Sequence, residues 1–198
     1  MAVGPSVGVV IDRRAAAALY SPAMDRPATG AAPAADPMRA FDAEAAATLG
    51  RLVRGHRQAA LATLDGGAPH VAMVAYAAEA GFAGFLLHLS DLAAHKRQLR
   101  ADPRCALLIF EPDDQPSVEV LTRKRVALQC VAAVLPKGDE AHAAAKATYL
   151  AQLPKHAMMF GLGDFDLVRL TPSGGLLNAG FGQAYRLTPD DLAAAAAA

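Results

Sequence analysis

The chain has 198 residues, with nineteen Lys and Arg balanced by nineteen Asp and Glu, so its formal net charge at pH 7 is zero. That balance argues against a nucleic-acid binder, which carries a clear basic excess, and no apolar stretch approaches the length of a membrane span. Hydrophobic residues make up 54% of the sequence, enough for one domain with a substantial core, although alanine inflates the figure.

Residues 1–37 are rich in Ala, Pro and Gly without sustained periodicity and read as a disordered leader. A short apolar patch there has no basic region before it, and Asp12, Arg13 and Arg14 interrupt it. It makes a poor signal peptide, so a cytoplasmic protein is expected. The folded domain is expected over 38–192, and the alanines of 193–198 read as a frayed tail or a helix extension.

Asp42 offers a helix N-cap, with Ala46, Leu49, Leu52 and Val53 at helical spacing and Gly55 as a stop. "RQAALATL", the turn "DGG" and "APHVAMVAYA" predict a β-hairpin, and "GFAGFLLHLS" a third strand. Ser90 can cap a helix over 91–100, on which Leu92, His95, Lys96 and Leu99 share a face. After Pro103, "CALLIF" makes a fourth strand, and "VEVL" with "RVALQCVAAVL" one or two more. "GDEAHAAAKATYLAQL" is helical and closed by Pro154, and "DFDLVRL" and "GFGQAYRL" are short strands around the loop "TPSGGLLNAG". Many short strands with few helices predict an antiparallel barrel with helices at its margins. Cys105 and Cys130 lie in apolar runs without metal-ligand spacing and read as buried free thiols.

The segment 89–100 brings a hydroxyl, a helix start and the donors His95, Lys96, Arg97 and Arg100 together. Ser90, free N–H groups and a helix dipole suit a phosphate. The same pattern fits a capped surface helix with a solvated basic face. His70 and His88 read as core or edge histidines, and no pair among the six histidines has the spacing of a metal motif. No Ser, Cys or Lys stands in a nucleophile elbow or triad context.

The order of "ATLDGGAPHVAMVAYA", "LLHLSDLAAHKRQLRADPRCALLIF", "RKRVALQCVAAVL", "GLGDFDLVRL" and "NAGFGQAYRL" resembles the pyridoxamine-phosphate-oxidase-like flavoproteins. Within them it is most similar to the haem-utilisation (HugZ-type) branch, marked by a Ser-x-Leu-Ala-x-His segment running into Asp-Pro-Arg and by late "GDF" and "GFG" elements. The resemblance covers about residues 42–192. It implies a mainly β fold with flanking helices, a six-stranded antiparallel split β-barrel that forms a homodimer with FMN at the subunit interface. By the same resemblance Met73, Val74, Ala75 and Tyr76 line the isoalloxazine through their backbone. Ser90 and His95 hold the FMN phosphate with Lys96 nearby, and Arg125 contacts the flavin from its own or the neighbouring subunit.

The sequence departs from that pattern in places. Ala72 stands where the oxidases have Arg and the haem branch often Ser, so one phosphate donor is missing. Ala77 replaces the oxidases' substrate-binding Lys, and their C-terminal Trp and Arg elements are not evident, which argues against vitamin B6 oxidation. Gln98 and Cys130 replace a frequent Asn and Gly, and no extra C-terminal domain or late His-rich segment follows "GFGQAYRL". Two functions are therefore expected as alternatives. One is an FMN-dependent oxidoreductase acting on haem or another small redox substrate; the other is a non-catalytic flavin- or haem-binding protein on the same fold.

Overall fold

The computed structural model describes residues 38–198, so the leader expected over 1–37 lies outside the described residues. Helix α1 (Ala43–Gly55) begins where the Asp42 carboxylate accepts a hydrogen bond from the Ala45 N–H at 2.8 Å. That bond satisfies a donor no helical carbonyl can reach. The hairpin follows as β1 (Gln58–Asp65) and β2 (Ala68–Ala75), with Asp65 opposite Ala68. Gly66 and Gly67 have φ of 58° and 91°, the left-handed pair that a two-residue turn between right-twisted strands requires.

The remaining elements are β3 (Ala77–Ala78), β4 (Phe85–Ser90), α2 (Ala94–Ala101), β5 (Arg104–Phe110), β6 (Arg125–Leu135), α3 (Glu140–Gln152), β7 (Phe165–Gly180), β8 (Gln183–Leu187) and α4 (Pro189–Ala197). The strands pair antiparallel in the order β2-β1-β5-β6-β7-β4-β3, with β8 added beside β7. β2 and β3 are consecutive pieces of one extended segment, bent at Tyr76, yet they stand at opposite ends of this path. The path therefore returns to its own start and closes a barrel. Counting that segment once leaves the six expected strands, and β8 is the addition. The bend is fixed from inside: Tyr76 is buried, its N–H donates to the Arg57 carbonyl at 3.0 Å and its hydroxyl to the Val53 carbonyl at 2.8 Å.

Inward residues of the strands and of α1 fill one core, including Leu49, Leu61, Phe85, Leu107, Leu128 and Leu170. A smaller core lies between α3 and the sheet, built by Leu86, Leu135, Tyr149 and Leu167. No described helix is long and apolar enough to cross a membrane.

The structure corrects three expectations and decides a fourth. "TPSGGLLNAG" is not a loop but the middle and end of the single strand β7. Pro172 lacks an N–H and sits at a bulge opposite Gln129 and Cys130. Gly175 lets β6 approach so closely that a Cβ there would lie 2.5 Å from the Ala127 carbonyl oxygen. "VEVL" forms no strand; Val120–Thr122 is a 3-10 turn whose start Glu119 caps. The helix after Ser90 begins at Ala94, because Ser90 still pairs with Phe165 in the sheet and its Oγ accepts from the Leu92 N–H. Of the two readings of the C-terminal alanines, residues 193–197 take the helix extension and not the frayed tail: Thr188 and Asp191 form a capping box, and Leu192 and Ala195 are buried against the core.

Candidate functional site

The residues expected to bind a phosphate divide into two groups on either side of α2. Ser90, at the end of β4, donates its hydroxyl to the Asp164 carboxylate at 2.6 Å. Lys96 is only 1% exposed, and its ammonium meets Asp91 at 2.9 Å, Asp166 at 3.0 Å and the Asp164 carbonyl at 2.8 Å. Arg100 closes the network on Asp91 and Asp166. Asp91 is held below the usual carboxylate range, first by its hydrogen bond from Lys96. Ser90 and Lys96 are thus engaged within the protein, beside three carboxylates that disfavour an added anion. Asp164 stands in the "GDF" element, but the sequence assigns no partner to it or to Asp91 and Asp166, because their partners come together only when the end of β4 meets the start of β7.

His95 faces the other way, toward the hairpin. Gln98, one turn on, accepts a buried 2.7 Å hydrogen bond from Thr63 on β1, and Thr63 stands opposite His70 on β2. His95 is lowered in pKa, chiefly by burial and then by the charge of His70. The cap position Ala93 supplies no side-chain acceptor to the first turn of α2. The Lys96 N–H of that turn donates to the Ala93 carbonyl at 3.1 Å, and the Ala94 and His95 N–H groups lie at the start of the helix, where no helical carbonyl reaches them. His70 is a residue that sequence reasoning set aside. The period-two alternation of β2, which puts His70, Ala72 and Val74 on the inward face, was the signal available.

Met73, Val74, Ala75 and Tyr76 close β2 and lead into the bend. Among the described residues β2 pairs with β1 alone along this stretch, so its other edge presents backbone N–H and C=O groups. Met73 points outward and is 67% exposed, whereas Val74 and Tyr76 are buried in the core. Arg125 begins β6 on the outer face between Phe110 and Asn178 and donates to the Leu121 and Arg123 carbonyls. Three strand spacings separate β6 from β2, roughly 14 Å, so Arg125 lies far from the hairpin strand that carries His70. Buried Arg123 holds the intervening loop through Asp113 and the carbonyls of Pro112 and Gln115.

A second titratable cluster lies over the smaller core. The His88 ring stacks on Phe160 at 3.8 Å, with Tyr149 and Phe165 beside it, and Tyr149 hydrogen-bonds His156 at 2.8 Å. Burial, followed by the charge of His156, lowers His88 from 6.5 to about 4. A folded-state pKa below the unfolded one means that neutral His88 supports the fold above pH 6.5, and this support is lost as pH falls toward 4. The expected loss is roughly 1–2 kcal/mol between pH 7.5 and 5, after allowance for solvent screening. His88→Phe, which keeps the stack, is expected to show a smaller drop in Tm over that interval than the parent protein. Among the described residues no three His, Cys, Asp or Glu side chains are grouped to hold a metal ion.

The sequence pattern of the pyridoxamine 5'-phosphate oxidase family matches residues 45–178. The heme oxygenase HutZ of Vibrio cholerae is 31% identical over 138 residues, which span 67% of this chain and 74% of that one. Its crystal structure, described as that of a heme storage protein, superposes with a TM-score of 0.50 at 26% identity, over 61% of this chain and 84% of HutZ. The chloroplastic non-canonical heme oxygenase HOZ of Arabidopsis thaliana is 36% identical over 107 residues, 54% of this chain and 30% of that protein. A heme binding protein from Mycobacterium smegmatis superposes with a TM-score of 0.66 at 30% identity, covering 75% of this chain and 60% of its own. The match to these last two thus spans less than two thirds of their length.

Proposed function

The chain belongs to the pyridoxamine 5'-phosphate oxidase family, and on that premise we propose that it acts in haem utilisation as an FMN-binding oxidoreductase. The observation that carries the reading is that relatives at 30% identity or above, from three different organisms, are each named for haem. Bound FMN would supply the redox chemistry, and the chain would hold and orient it. The open edge of β2 over Met73–Tyr76 suits backbone hydrogen bonds to a planar ring system, and His95 with the uncapped first turn of α2 suits its phosphate. Ser90 and Lys96 contribute less directly, by fixing the loop that launches α2.

A homodimer completes this arrangement. On the outer face Met73, Ala60, Leu108, Ala127 and Leu176 form one row across five strands, and Val71, Ala62, Ala106 and Gln129 form the next. Val71 is 64% exposed, like Met73, so these rows offer a broad apolar surface to a second copy of the chain. Arg125 lies at the margin of that surface, where it can reach the partner's flavin.

A non-catalytic haem-binding protein is the second reading. It is favoured by the engagement of Ser90 and Lys96 in an acidic network and by Ala72, which offers no donor. Titration of the purified protein with FMN and with haemin, followed by absorbance, separates the two. The first reading expects one FMN per subunit, and NADPH in air is expected to bleach the haem Soret band only when FMN is present. A stable haem complex with no flavin binding would replace it with the second.

A further inference from the structure

We infer that His70 and His95 form one anion-binding pair for a terminal phosphate monoester, with the His70 imidazole standing in for the donor missing at Ala72. This deepens the flavin reading and rests on it for the identity of the ligand, but not for the existence of the pair.

Three geometric links bring the two rings together. His70 is the cross-strand neighbour of Thr63 on the inward face of the hairpin. Thr63 donates to Gln98 at 2.7 Å. Gln98 and His95 are three residues apart on α2, hence on adjoining positions of one helix face. His70 also shares its strand face with Ala72, two residues away, or about 7 Å. An imidazole at 70 therefore reaches toward the space that a long side chain at 72 would otherwise enter.

One ring nitrogen of the pair is unsatisfied. Nδ1 of His70 is buried and has no hydrogen-bond partner among the described residues, a costly state for a polar atom unless something else occupies the site. Among the described residues neither ring takes part in an ion pair, and burial followed by the charge of His70 lowers His95. An anion between the two rings gives both a charge-assisted acceptor. On the other side of α2, by contrast, the carboxylates of Asp91 and Asp166 hold Lys96 and that of Asp164 holds Ser90, and together they repel a phosphate. The anion is therefore directed to the hairpin side of the helix.

Two measurements test the pair. The first compares FMN with riboflavin, which lacks the phosphate, by equilibrium titration of the parent protein and His70→Ala. The expected result is that His70→Ala lowers FMN affinity about tenfold or more and leaves riboflavin affinity unchanged. Equal affinity for FMN in the two proteins, or an equal loss for both flavins, overturns the inference. The second follows the imidazole resonances of the unmodified protein by NMR as inorganic phosphate is added. Phosphate is expected to shift the resonances of both His70 and His95 with one common binding curve, and the absence of such a shift overturns the pair. If neither flavin binds, the flavin reading fails, and the phosphate titration alone decides whether the pair stands.

Discussion

Lys96→Met is expected to destabilise the protein by about 3 kcal/mol, because it removes a buried cation and keeps the volume of its stem. The ammonium satisfies the Asp164 carbonyl and neutralises Asp166, and both lose that partner. Arg100 remains on Asp166 at 2.7 Å, which holds the cost to the lower end of the range for breaking a buried ion pair. For a chain of this length the midpoint of thermal unfolding should fall by roughly 6–12 °C. The measurement is a thermal melt at pH 7.5. A fall of less than 2 °C would mean that the network around Lys96 contributes little to the fold.

The same variant separates a structural lysine from a ligand-binding one. A Lys96 that held the phosphate directly would, on replacement, weaken FMN relative to riboflavin. A Lys96 that only anchors the loop before α2 leaves the ratio of the two affinities unchanged in protein that remains folded, and that is the outcome expected from its three protein partners. The pH dependence is a further mark. Asp91 has a folded pKa below its ordinary value of 3.8, chiefly through the hydrogen bond from Lys96. That contribution is complete above the ordinary value and is lost as pH falls through the folded one. The gap in stability between parent and variant should therefore be full at neutral pH and narrow below about pH 4.

What the sequence disclosed, and what it concealed, follows the range of the interactions. Asp42 capping Ala45 and the Gly66–Gly67 turn are decided within four residues, and both stand where local chemistry puts them. The barrel was legible from strand spacing and from resemblance. Strand β7 was misread because Pro172 and two glycines are turn signals locally; only pairing with β6, across some forty residues, makes them a bulge and a close approach. Ser90 shows the same limit. Its hydroxyl looks free in the sequence, but its acceptor Asp164 is 74 residues away. His70 was passed over for a related reason: the lack of a partner at Nδ1 is a property of the packed hairpin and helix, not of "APHV".

Leu108→Glu is expected to convert a dimer into monomers and to abolish FMN binding with it. Leu108 sits at the centre of the outer apolar row, flanked by Ala60 on one strand and Ala127 on the other. Its inward neighbours Leu107 and Ile109 carry the core, so a carboxylate at 108 spares the barrel and loads the surface between copies. An unpaired charge buried there costs several kcal/mol, a rise in the dimer dissociation constant of at least a hundredfold. Sedimentation should show the parent as a dimer and the variant as a folded monomer of unchanged circular dichroism. On the proposed reading flavin binding depends on the same contact, since Arg125 lies too far from the hairpin to share a ligand with His95 within a subunit and would serve the flavin of the second copy. A monomeric variant that still bound FMN at the parent's affinity would remove Arg125 from the site and confine the ligand to β2, α2 and the histidine pair between them.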